Sequence, residues 1–166
     1  MEAIIFDLAL VFHAAAIGLG VGSSTLAISS FLVAIYDGTI ETGERRMLGV
    51  IYWALRVAMV SILFFSVVIY LIDPGFFGAF NVYLAIMLAV LYLNAGAMTF
   101  KLISPKLGPS IQAGTWYTLG FMMSIHMFEL FEPTFVHFLL LYAADIAFFL
   151  IIVNLYLIYL KRQKRS

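Results

Sequence analysis

The sequence predicts an all-α, polytopic integral membrane bundle of about five transmembrane helices, with the N-terminus outside and the C-terminus in the cytoplasm. Three observations lead there. Of the 166 residues, 64% are hydrophobic and only 11% charged, with a mean hydropathy of +1.09, whereas soluble domains run to about a quarter charged. The apolar residues gather into five stretches, each long enough for a bilayer core that needs about 20 helical residues. Finally, all nine Lys and Arg residues except Arg56 fall on one side of those stretches.

Polar and Gly/Pro boundaries place the spans at about 3–35, 46–72, 78–103, 111–131 and 134–160 in a single transmembrane domain. The first is too long for one perpendicular crossing, so it tilts or projects, and Gly18, Gly20 and Gly22 followed by Ser23, Ser24 and Thr25 offer a place to bend. It lacks a basic n-region and a cleavage site, which predicts a retained helix. Asp73-Pro74-Gly75 and Glu132-Pro133 read as tight turns, because proline after an acidic residue ends one helix and suits the first turn of the next. Arg45 and Arg46, Lys101 and Lys106, and the tail from Lys161 to Arg165 share one side. Glu2, Asp73, Glu129 and Glu132 occupy the other, which is the positive-inside pattern; the expected setting is a bacterial inner membrane.

Composition excludes several function classes. A chain made wholly of spans leaves no room for a soluble catalytic module, so chemistry must sit between helices or at their ends. No cysteine is present, which removes disulfides, thiolate ligands and cysteine nucleophiles. No internal repeat is visible, and five spans do not divide into two inverted halves, which disfavours a stand-alone secondary transporter. The basic tail reads as a contact for anionic lipid, with no nucleic-acid partner expected.

Ionisable groups inside spans are expensive and therefore candidates for function. Arg56 and Asp145 fall near mid-membrane and are natural partners, either as a clamp between the second and fifth helices or with Arg56 binding an anionic group such as a propionate. Asn94 and Asn154 suit hydrogen bonds between helices. His13 sits in FHAAAIGLGVG, where small residues strip the helix of bulk. One reading is a close helix contact with His13 hydrogen-bonded to a neighbour. The other is a porphyrin lying on Gly18, Gly20 and Gly22, with His13 and either His126 or His137 as axial ligands of haem b.

The fourth span ends in MMSIHMFELFEP, where Met122, Met123, His126 and Glu129 share one helical face at spacings of three and four. With His137 they offer thioether and imidazole for copper, or imidazole and carboxylate for zinc or iron. The plainer alternatives are methionine as core filler and His137 paired with Glu132 or Glu129. Trp53, Trp116, Tyr36, Tyr117 and Tyr159 are assigned to headgroup belts.

The first-helix histidine, followed by ERRMLGVIYWALR leading into the second helix, resembles the CopD-type copper-resistance proteins and the HemJ-type protoporphyrinogen oxidases over residues 5–72. LNAGAMTFKLISPKLG is similar to small bacterial membrane proteins of like layout. The resemblance implies a haem-binding or copper-handling bundle, with His13 as the first-helix histidine and Arg45 or Arg46 as the basic pair before the second helix. The third helix departs from the HemJ-like pattern, since it has Tyr92 and Asn94 but no histidine.

The sequence thus raises three expectations. The first is a b-type haem redox protein that transfers electrons or oxidises a lipophilic substrate such as a quinol or porphyrin. The second is copper or other metal handling at the outer face. The third is a non-catalytic membrane subunit or assembly factor, working as a homo-oligomer or with a membrane-protein partner.

Overall fold

The computed structural model describes residues 1–37, 41–104 and 107–163, and among them the only regular elements are five helices. These are α1 (Glu2–Asp37), α2 (Thr42–Ile72), α3 (Phe80–Thr99), α4 (Leu107–Met127) and α5 (Phe135–Gln163). Lys106, Lys164 and Arg165 lie outside the described residues, as do the side chains of Tyr36 and Lys161. Four helices, α1, α2, α3 and α5, are long and apolar enough to cross a membrane. The chain is accordingly a multi-pass helical bundle suited to a lipid bilayer.

α4 is the exception, and its composition explains its place. Most of it between Gly108 and Met123 is buried, including Ser110, Gln112, Thr115, Trp116 and Thr118. A helix that shows its neighbours more surface than it shows lipid tolerates polar side chains, because those neighbours supply hydrogen-bond partners. α1 packs along α2 in the most extensive interface, α4 packs on α1, α3 and α5, and α5 also touches α1. Consecutive helices run antiparallel. Arg45, Arg46, Lys101 and Arg162 thus gather at one end of the bundle, called here the basic end, and Glu2, Asp73, Glu129 and Glu132 at the other.

Several boundaries differ from the sequence reading. α2 begins at Thr42, four residues early, because Glu41 stands before it in extended conformation and its backbone N–H donates to Glu44 Oε2 at 2.9 Å. α3 and α4 both stop early, and by the same device. At the end of α3, Leu102 N–H donates to Ala97 O at 2.8 Å and Lys101 N–H to Met98 O at 3.1 Å, with Lys101 at φ 57°. At the end of α4, Leu130 N–H donates to Ile125 O and Glu129 N–H to His126 O, with Glu129 at φ 51°. Both are Schellman closures with a charged residue in the left-handed position usually held by glycine.

α5 starts from a cap: Thr134 Oγ1 accepts the His137 N–H at 3.3 Å, and His137 Nδ1 in turn accepts the Thr134 N–H at 3.3 Å. Proline therefore precedes this cap and does not occupy the first helical turn.

The close approach of α4 to α1 and to α5 is set by two glycines. A Cβ at Gly20 would overlap the ring of Trp116, and one at Gly114 would press on the backbone of Ile146, so α4 seats its largest side chain against α1 and draws α5 close. Trp116 is fully buried, which corrects its assignment to a headgroup belt. Trp53, by contrast, is well exposed on α2, as a belt residue should be.

Candidate functional site

Hydroxyl and amide side chains join the helices pair by pair. Tyr117 of α4 meets Thr25 of α1 at 2.9 Å, and Tyr142 of α5 meets Thr115 of α4 at 3.0 Å. Asn94 of α3 donates to Gln112 Oε1 of α4 at 3.0 Å. His13 Nε2 lies 3.0 Å from Ser66 Oγ of α2. The Ser66 hydroxyl already donates to Ile62 O within its own helix, so His13 Nε2 carries the proton and donates, and Nδ1 is left buried without a partner.

The Arg56–Asp145 pair expected from the sequence does not form. Asp145 accepts a 2.7 Å hydrogen bond from Thr118, and no ion pair to Arg56 is present among the described residues. The reason is topological: α5 packs on α4 and α1, whereas α2 packs on α1 and α3. Arg56 is the fifteenth of the 31 residues of α2. It borders the same cavity as Thr99, the last residue of α3, and Pro109 in the first turn of α4, so it stands at the basic end of the bundle. About 20 Å of α2 precede it.

The residues proposed for haem or metal are placed as follows. His13 and His126 both touch Phe77, with ring centroids 5.5 Å away in each case, and His126 is further boxed by Phe76 and Phe80. The imidazoles meet these rings and make no described contact with each other. The glycines share no single face. Gly20 is closed by Trp116, while Gly18 and Gly22 lie on the opposite side of α1 with nothing within 4 Å of an added Cβ. Residues two apart on a helix stand about 200° apart, so this separation is forced. As they stand, His13 Nε2 is held by Ser66, Phe77 packs on both imidazoles, and the glycine stripe is split.

The expected metal set is dispersed as well. Met122 and Met123 are buried in the core, and Glu129 leaves the helical face because α4 closes before it. His137 is taken by the α5 cap and packs on Phe131. No group of three His, Asp or Glu side chains converges among the described residues. His126, Glu129 and Glu132 instead line an outer cavity of about 690 Å³ together with Phe76 and Phe131. Asn154, expected to bond across helices, faces outward.

What the helices do enclose is a cavity of about 330 Å³ between α1, α2, α3 and α4 at the basic end. Arg56, Tyr52 and Thr99 are exposed and form its rim, while Ser24, Leu55, Met59 and Gln112 are buried and form its floor. Among the described residues the arrangement offers one cation at the mouth, hydrogen-bonding groups around it, and apolar wall below. Sequence reasoning singled out Arg56 but missed Gln112, Tyr52 and Ser24. A signal for Gln112 existed, since it is the only glutamine within the four apolar helices and α4 before the C-terminal end. No protein-family model, curated protein or solved structure matches the chain.

Proposed function

We propose that this chain is a membrane-embedded binding protein that takes an amphiphilic carboxylate into the cavity between α1 and α4, from the leaflet at its basic end. By the charge asymmetry that leaflet is the cytoplasmic one, and the bacterial inner membrane is the natural setting. The observation that carries the proposal is Arg56, a guanidinium without an ion-pair partner among the described residues, at the rim of a largely apolar cavity.

A guanidinium presents parallel donors that match the two oxygens of a carboxylate. Arg56 is the one cation lining the cavity among the described residues, and a single cation suits a single negative charge. The volume lies at the small end of the roughly 300–1,000 Å³ of ligand sites, which suits a single acyl chain. Leu55, Met59, Ala27 and Ala95 provide surface for such a chain.

Titration of the purified protein in a non-ionic detergent with dodecanoate, and separately with dodecanol, tests this. A charge-assisted hydrogen bond contributes about 1.5–3 kcal/mol, so dodecanoate should bind about ten to a hundred times more tightly than the alcohol. Arg56→Gln should erase the difference. Equal binding of acid and alcohol refutes the proposal. So does a stoichiometric Soret band, in protein from a haem-replete host, that disappears with His13→Ala; that result would restore the haem reading.

A further inference from the structure

The cavity holds a second recognition element, and its orientation is fixed by a chain of hydrogen bonds. Asn94 Nδ2 lies 3.0 Å from the backbone carbonyl of Gly108 and 3.0 Å from Gln112 Oε1. A backbone carbonyl only accepts, so Asn94 must turn its NH2 toward Gly108. With the NH2 on that side, Gln112 must present its own oxygen to Asn94. The Gln112 NH2 is thereby turned away from α3 toward the cavity. There its only acceptor among the described residues is the Met59 thioether at 4.0 Å, a weak one.

This orientation carries a cost that packing alone does not explain. Asn94 Oδ1 is left buried with no partner, and Gln112, itself buried, keeps a donor pair with almost nothing to bond. Buried polar groups left in this condition are costly, and a ligand acceptor would relieve it for Gln112. Arg56 stands at the exposed rim and Gln112 on the buried floor, so the second acceptor lies deeper than the anion.

We infer that the ligand is a carboxylate amphiphile bearing a neutral oxygen acceptor near its head, such as the carbonyl of an N-acyl amino acid, with Gln112 donating to that oxygen and Asn94 acting as the positioning residue. The inference rests on the Arg56 reading and adds the ligand class to it. A plain fatty acid satisfies Arg56 but leaves the Gln112 amide as it is in the empty cavity. An N-acyl amino acid satisfies both.

The test compares N-decanoylglycine with dodecanoate on the full chain in non-ionic detergent. Wild type should prefer N-decanoylglycine by about three- to tenfold, the value of one neutral hydrogen bond. Gln112→Met should abolish that preference, bringing the ratio of the two affinities to about one. Asn94→Ala, which frees Gln112 to turn, should shrink the ratio between the two probes without a matching loss of dodecanoate binding. A purely structural role would weaken both probes alike. Arg56→Gln should weaken both and preserve their ratio.

Equal affinity for the two probes in wild type, or a preference that persists in Gln112→Met, overturns the inference while leaving the Arg56 reading intact. Failure of both probes to bind wild type overturns the two together. If Gln112→Met does not yield folded protein, the ratio in Asn94→Ala decides, and an unchanged ratio there counts against the inference.

Discussion

Gly20→Ala is the most direct probe of how this bundle is held together. An added Cβ would fall inside contact distance of Cδ2, Cε3 and Cζ3 of Trp116, and the indole is fully buried. Overpacking of this kind costs about 1–3 kcal/mol. Set against it is the gain of about 0.4–1 kcal/mol from replacing glycine in a helix. The net expectation is a loss of about 1–2 kcal/mol. Gly18→Ala and Gly22→Ala meet nothing within 4 Å and should be neutral or stabilised by at most about 1 kcal/mol. Unfolding in mixed micelles of increasing SDS content, followed by circular dichroism, measures all three. A Trp116→Leu background should relieve the Gly20→Ala penalty, giving a coupling of about 0.5–3 kcal/mol. If the three alanine variants behave alike, or Gly20→Ala is as stable as wild type, the α1–α4 packing argument is wrong.

Two further expectations concern helix ends, read by the same unfolding assay. Lys101 and Glu129 occupy left-handed positions that cost a non-glycine residue about 1–2 kcal/mol, so Lys101→Gly and Glu129→Gly should each raise stability by up to about 1 kcal/mol after the entropy of glycine is deducted, and a loss would show that these side chains make contacts of greater value. Thr134→Ala removes the acceptor for the His137 N–H at the start of α5 and should cost about 1 kcal/mol, whereas Thr134→Ser should restore most of it; an unaffected Thr134→Ala would mean that the cap is dispensable.

The outer cavity lined by His126, Glu129 and Glu132 is larger than the one at Arg56, yet it is the less informative of the two. Its charged groups lie beside open rim, and His126 packs edge-on against Phe76 in its wall and stacks on Phe80 behind it at 5.8 Å. The Arg56 cavity combines a cation at its mouth with a buried, oriented amide at its floor. That pairing, and not volume, singles it out.

The fold class, the number of helices and the segregation of charge to one end were all legible in the chain. Length, hydropathy and the positions of Lys and Arg determine how a segment partitions into a bilayer, and they do so with little help from neighbours. The end of α2 at Asp73 was legible for the same local reason, whereas Glu132-Pro133 lies in an irregular link over 128–134 and does not form the tight turn expected. The helix ends at Lys101 and Glu129 were not, since a left-handed cap without glycine leaves no mark in the sequence.

Only the tertiary structure decided which side of each helix meets protein. In a bilayer both protein and lipid are apolar, so the pattern that reveals the buried face of a soluble helix is nearly absent here. That is why Trp116 read as a belt residue and proved to be core, why Gly18, Gly20 and Gly22 read as one stripe and proved to be two faces, and why Arg56 and Asp145 read as partners though their helices pack elsewhere. Gln112 belongs with them: its donor faces the cavity because Gly108 and Asn94, brought together by the packing of α3 on α4, leave it no other direction.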